Sequence, residues 1–336
     1  MKRCLITGAG GFVGSHLFVH LLHNTTWDLV LTDSFRHRGK TDRITQQLTE
    51  SHPNFLKRVK VITHDLVAPM SWQMIDEIGE IDYAINLASE SHVDRSITDP
   101  RPFIENNVSV ILTMLEWARM MNPKKFIHLS TDEVFGPAPE HYDFPEWDVH
   151  LPSNPYSASK AAQEDIIFSY WRTYKLPVQI ARCMNMIGEM QDAEKFVPMT
   201  IKKVLAEKTV EVHASKEGIP GSRYYLHARN LADAILFIIR NTEPELYHDN
   251  NSLGSYNVVG EREVDNLEMA KMIAEIIGKE LKYKLVDFHS SRPGHDLRYG
   301  LDGTKLSHMG WKPPMRLEDS LRNTVLWTLY NKKWLN

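Results

Sequence analysis

Two cysteines, Cys4 and Cys183, are all that the 336 residues contain. Both lie in apolar runs, which points to buried thiols rather than a disulfide or a metal pair, and to a reduced, cytoplasmic setting. No run of 18 apolar residues occurs, so no membrane-spanning helix is expected. Met1-Lys2-Arg3 leads directly into a short, glycine-rich run, unlike a signal peptide. Basic excess is missing too: 39 Lys+Arg stand against 43 Asp+Glu, a net charge of −4. That excludes the electrostatic footprint of a nucleic-acid binder. The sixteen histidines show no H-E-x-x-H or similar spacing, so no metal site is expected. Repeats, low-complexity tracts and charged tails are absent. What remains is 42% apolar and 24% charged residues, an ordinary globular composition.

Strand and helix signals alternate through the first half. Short apolar runs at Cys4–Thr7, Asp28–Thr32, Val59–Thr63, Tyr83–Leu87, Phe126–Ser130 and Val178–Arg182 predict strands. Amphipathic stretches at Ser15–His23, Phe103–Met121 and Ala158–Tyr174 predict helices between them. The alternation means βαβ crossovers and an α/β fold with a doubly wound parallel sheet, its ligand outside the carboxyl ends of the strands. The second half reads as a smaller α+β lobe. It has helices at Pro198–Glu207, Asn230–Arg240 and Leu317–Asn331, and a strand at Val210–Val212. We divide the chain into residues 1–182 and 183–336, with part of 226–262 rejoining the first sheet.

Between the first strand and the first helix lie Gly8, Gly11 and Gly14, spaced G-x-x-G-x-x-G around Phe12 and Val13. Glycine allows positive φ in a tight turn and close backbone approach to a pyrophosphate, which the helix N-terminus then faces. Asp33 closes the second strand, 19 residues after Gly14, where a carboxylate binds ribose hydroxyls. A dinucleotide is therefore expected. The carboxylate would repel a 2′-phosphate and favours NAD over NADP, although Arg36 and Arg38 stand nearby. His64-Asp65-Leu66, after the third strand, is placed to meet the adenine.

Tyr156 and Lys160 are four apart at a helix start, so their side chains share a face. A nearby ammonium and a nicotinamide cation would lower the phenol pKa from about 10, making Tyr156 an acid/base for alcohol–carbonyl exchange. Ser130-Thr131-Asp132-Glu133 ends the fifth strand. It reads either as a helix cap with acids at the positive dipole end, or as a donor hydroxyl with two carboxylates at the ligand edge. Two acids in different surroundings can divide into one acid and one base, the pair that elimination of water needs.

These blocks, with Leu87–Ser96, Asn154–Lys160 and Arg292–Tyr299, give the sequence a resemblance to the extended short-chain dehydrogenase/reductases. Within them it is most similar to the nucleotide-sugar 4,6-dehydratases, nearly end to end. The resemblance implies a Rossmann-type domain, a homodimer and catalytic NAD. It implies oxidation of an NDP-hexose (dTDP- or UDP-glucose) at C4, loss of water across C5 and C6, and hydride return to C6. Tyr156 would take the C4 hydroxyl proton, assisted by Lys160, with Thr131 at the keto oxygen, Glu133 as base at C5 and Asp132 as acid at C6. Leu87 would line the cofactor, and Ser91, His92, Asn185, Arg223, Arg292 and His295 the substrate. Related epimerases usually lack the Asp-Glu pair.

The sequence departs from the family where the nucleotide sugar would lie. Where the family carries N-N-Y-G-P the chain reads Met184-Asn185-Met186-Ile187-Gly188-Glu189, the short loop before R-D-W is replaced by His213–Tyr225, and V-E-D-H by His227-Ala228-Arg229-Asn230. A UDP-N-acetylglucosamine dehydratase or 4-epimerase is therefore the alternative. Ile111, Leu112, Met114, Leu115 and Trp117, with Ile166, Ile167, Phe168, Tyr170 and Trp171, exceed one stripe against a sheet, and are expected at the dimer interface.

Overall fold

In the computed structural model, which describes residues 1–248, 251–287 and 296–336, the apolar runs become strands joined by helices. The first half gives β1 (Arg3–Thr7), α1 (Phe12–Asn24), β2 (Asp28–Asp33), α2 (Thr41–Thr49), β3 (Val59–Thr63), α3 (Trp72–Ile78), β4 (Tyr83–Asn86), α4 (Val93–Thr98), α5 (Pro100–Met121), β5 (Lys125–Thr131), α6 (Pro155–Tyr174) and β6 (Val178–Cys183). Then come β7 (Met186–Ile187), α7 (Phe196–Leu205), β8 (Val210–Ala214), β9 (Ser222–Tyr224), β10 (Leu226–His227), α8 (Ala228–Asn241), β11 (Gly254–Val258), β12 (Glu263–Asp265), α9 (Asn266–Ile277) and β13 (Tyr283–Asp287).

Seven strands form one parallel sheet in the order β11-β6-β5-β4-β1-β2-β3. Side chains alternate between its faces. Cys4, Ile6, Leu29 and Leu31 pack with α1 and α8, while Leu5, Val30, Ala84 and Phe126 pack with α3, α5 and α6. Burial on both faces explains the near-continuous apolar runs. All seven strands point the same way, so Thr7, Asp33, Asn86, Thr131 and Cys183 end at one edge.

The helices begin earlier than periodicity alone suggests. α1 starts at Phe12, inside the glycine turn, and both α5 and α6 start on a proline in the first turn. Proline there gives up an N–H that has no partner in any case. Asn154 caps α6 with a reciprocal box to Ser157. Apolar spacing does not register a first turn made of glycine, proline or polar residues, even where, as at Tyr156 and Ser157, that turn is buried.

The smaller lobe pairs β8 with β13, β9 with β12 and β7 with β10. Its core joins Val197 and Ile201 of α7, Met269 and Ile273 of α9, and Leu321 and Val325 of the helix Leu317–Tyr330. The apolar excess on α5 and α6 is largely internal. Ile111, Met114, Leu115, Trp117, Ile167 and Trp171 are buried against the sheet, whereas Leu112 and Phe168 are exposed together with Ile104 and Met120.

Candidate active site

The carboxyl edge of the sheet and the smaller lobe enclose a cleft of about 460 Å³. Gly8, Gly11, Phe12, Val13, Gly14, Asp33, Asp65, Leu66 and Leu87 line one part of it. Ser91, His92, Thr131, Asp132, Glu133, Tyr156, Lys160, Asn185 and Arg223 line the rest. Arg292 and His295 lie outside the described residues.

The glycine turn is shaped by close approach. Gly8 has φ +67°, and a Cβ at Gly14 would stand 2.2 Å from the Gly8 carbonyl oxygen. Among the described residues no side chain caps α1, whose N-cap is Gly11, so its first N–H groups are left for a ligand. One Asp33 oxygen accepts the Gly10 N–H (2.9 Å) and the other that of Phe35 (2.8 Å). Burial pushes the Asp33 carboxyl up from its ordinary value, and the Phe35 and Gly10 N–H groups oppose this. Arg36 is paired with Asp65 at 2.6 Å and Arg38 with Glu194 at 2.7 Å. Both guanidinium groups therefore already face carboxylates. An uncapped helix, a turn open only to glycine and a buried carboxylate fit a dinucleotide.

Tyr156 and Lys160 sit in the first turns of α6, both buried. Lys160 Nζ donates to the Leu129 carbonyl at 2.8 Å. Burial lowers Lys160 to about 8, against the pull of Glu164. Burial, and then the charge of Glu133, raise Tyr156 well above 10, while a hydrogen bond with Thr131 acts the other way. Desolvation disfavours the phenolate, and the Lys160 ammonium is tied to the β5 backbone.

The two acids occupy different surroundings. Asp132 is buried; its Oδ1 accepts from the Thr131 hydroxyl at 2.9 Å. Burial and the Glu133 charge push its carboxyl up to about 7, with Thr131 and Arg223 opposing. Glu133 Oε2 accepts from Asn154 Nδ2 (3.3 Å) and the Tyr299 hydroxyl (3.5 Å). Thr131 also accepts the Glu133 N–H at 3.4 Å, so the capping role and the acid pair coexist.

Around the substrate end, His92 caps α4 through Nδ1, and the Ser91 carbonyl accepts from Lys195 Nζ (3.3 Å). Asn185 anchors β10 by its carbonyl, which accepts the Leu226 N–H at 2.9 Å. Arg223 directs Nη1 and Nη2 to the carbonyls of Leu297 (2.7 Å) and Asp296 (2.6 Å) and lies over the Tyr299 ring at 4.4 Å. Its fork thus holds the backbone after the Arg292–His295 segment. Sequence reasoning missed Asn154, Lys195 and Tyr299. For Asn154 the signal was present, since Asn before Pro at a helix start is a cap. Tyr299 is 166 residues from Glu133, and no spacing announces that contact.

A model of the GDP-mannose 4,6 dehydratase family matches residues 5–324. The chain belongs to this family. A dTDP-glucose 4,6-dehydratase of Escherichia coli is 32% identical, over 99% of this chain and 95% of that protein. A probable dTDP-glucose 4,6-dehydratase of Sinorhizobium fredii is 34% identical, over 99% and 94%. Among solved structures, a dTDP-glucose 4,6-dehydratase from Streptomyces venezuelae with NAD bound has a TM-score of 0.87 at 27% identity, covering 99% and 98%. A UDP-glucose 4-epimerase from Thermus thermophilus with NAD reaches 0.81 at 26% identity, covering 97% and 98%. The extended short-chain dehydrogenase/reductase fold is common to both activities. The full-length sequence relatives place this family member with the nucleotide-sugar hydro-lyases.

Proposed function

We propose that the enzyme is an NAD-dependent 4,6-dehydratase of dTDP-glucose. The observation that carries the reading is the Asp132–Glu133 pair beside Tyr156 in one cleft, with Asp132 able to hold a proton near neutrality. A 4-epimerisation has no use for that pair. Bound NAD supplies the hydride acceptor at C4 and the donor at C6. Gly8, Gly11, Gly14 and Asp33 hold it. Tyr156 takes the C4 hydroxyl proton, with the Lys160 ammonium supplying positive charge near it. The Thr131 hydroxyl steadies the developing keto oxygen. Glu133 removes the C5 proton that the ketone has acidified, and Asp132 protonates the departing C6 hydroxyl. Ser91, His92, Asn185 and Arg223 face the nucleotide sugar, and the family resemblance adds Arg292 and His295, which lie outside the described residues. Separate incubation with dTDP-glucose, UDP-glucose and UDP-N-acetylglucosamine, followed by mass spectrometry, tests the reading. A product lighter by one water from dTDP-glucose alone is expected. Water loss confined to a UDP-sugar would overturn the assigned base.

Asp33→Ala is expected to strip NAD from the purified protein. Hydrogen bonds from ribose hydroxyls to a charged acceptor are lost, at about 1.5–3 kcal/mol each. Denaturing the wild type should release NAD or NADH, and recovery of NADP alone would refute the assignment.

The protein is expected to be a cytoplasmic homodimer. Ile104, Leu112, Met120 and Phe168 expose an apolar outer face on α5 and α6, suited to a four-helix bundle with a second copy. Among the described residues no helix is long and apolar enough to cross a membrane. Light scattering at micromolar concentration should give twice the chain mass; a monomer rejects the dimer.

A further inference from the structure

Thr7, Asn86 and His128 lie side by side in register on β1, β4 and β5. All three are fully buried, on the face of the sheet that carries α5 and α6. Polar side chains at such positions are costly unless every group is satisfied. Here the hydrogen bonds run in one direction. The Thr7 hydroxyl accepts the Ala88 N–H at 3.3 Å and donates to Asn86 Oδ1 at 2.6 Å. Asn86 Nδ2 is left to donate to His128 Nδ1 at 3.1 Å. A neutral imidazole that accepts at Nδ1 carries its proton on Nε2. That Nε2 stands 3.4 Å from Lys160 Nζ.

Burial, and then the Lys160 charge, hold His128 neutral, well below its ordinary pKa. The other groups acting on Lys160 are Glu164 on its own helix and Cys183 on β6.

We infer that His128 is a positioning residue for Lys160: the cross-sheet row fixes the imidazole as its Nε2–H tautomer, and that N–H, aimed at Nζ, weakens the lysine's hold on its proton. This rests on the proposed role of Lys160 in the reaction. An N–H facing an ammonium is unfavourable, whereas a free amine can accept it, so the neutral lysine gains. Lys160 then loses its proton at lower pH than an exposed lysine does. Above that pH the positive charge near Tyr156 disappears and C4 oxidation slows.

The tautomer is read without turnover, by ¹⁵N NMR of histidine-labelled holoenzyme, with the His128 signals identified by their loss in His128→Asn. The Nε2–H pattern at neutral pH is expected; an Nδ1–H tautomer or an imidazolium overturns the inference. The consequence is read from the pH profile of single-turnover C4 oxidation. Asn86→Asp offers His128 Nδ1 an acceptor, reverses the tautomer and presents a bare Nε2 to the lysine. Its alkaline limb should move up by about one pH unit. His128→Leu removes the N–H and should also move the limb up. His128→Gln keeps an N–H toward Lys160 and should leave the limb in place. Limbs unmoved in folded Asn86→Asp and His128→Leu overturn the inference. Full activity in Lys160→Met would instead remove the catalytic reading of Lys160, and the NMR result would stand apart from it.

Discussion

Asp132→Asn stops the enzyme after oxidation. The amide cannot protonate the departing C6 hydroxyl, while Tyr156 and Lys160 still act at C4. Substrate added to this variant should therefore give a lasting reduced-nicotinamide absorbance and a bound 4-keto hexose, with product formation down about 10²–10⁴-fold. Glu133→Gln should fall by a similar factor and also suppress solvent deuterium exchange at C5. Tyr156→Phe should remove the reduced-nicotinamide signal itself. The wild type carries a matching pH signature. Asp132 is raised to about 7 by burial and by Glu133, so its acid form is populated below that pH and lost above it. The elimination step should decline as pH rises through 7, and that decline should vanish in Asp132→Asn. If the pair only caps the turn after β5, both acid variants lose about 0.5–2 kcal/mol of stability and keep their turnover. That outcome would discard the acid and base roles assigned to Asp132 and Glu133.

Arg182→Met is expected to give the largest loss of stability. Arg182 Nε lies 2.9 and 3.1 Å from the two Glu164 oxygens, both residues are buried, and His150 Nε2 reaches the same carboxylate at 3.3 Å. Burial alone would raise the Glu164 pKa, yet Arg182 and His150 hold it well below the usual carboxylate range. Removing the arginine strands a buried charge, at about 3–5 kcal/mol. Urea unfolding should show the loss as a lower midpoint with unchanged slope. Arg182→Met combined with Glu164→Leu should regain most of it, because a well-packed apolar pair can replace a buried ion pair. A single variant as stable as the wild type would show that the pair adds nothing.

The strands and the cleft were legible in the sequence for one reason. A sheet buried on both faces forces apolar runs, and the ligand edge of such a sheet is where Gly8, Asp33 and Thr131 fall. Helix starts were less legible, since Pro100 and Pro155 begin first turns that contribute little to the apolar stripe. Proton affinities were not legible at all. The Tyr156–Lys160 spacing, read with a nicotinamide cation beside it, suggests a lowered phenol pKa; burial acts in the opposite sense, and spacing cannot report burial. Nor could spacing divide the apolar surplus on α5 and α6 between the chain's own core, which Trp117 and Trp171 fill, and the outer face that carries Leu112 and Phe168. The row from Thr7 to Lys160 depends on three strands being in register, and no local pattern encodes that.

The position of β11 beside β6 has a bearing on how the chain emerges during synthesis. β6 ends at Cys183, but its outer partner begins only at Gly254. The intervening segment supplies β7 to β10, α7 and α8. Until β11 is made, β6 is an unprotected sheet edge, able to pair with another chain. A nascent chain grows from its N-terminus at about 5–20 residues per second, so this exposure lasts for several seconds. A cut placed between the two halves at Cys183 would make that edge permanent. Neither half is then a self-sufficient folding unit, and aggregation at β6 is the failure to which the topology exposes the growing polypeptide.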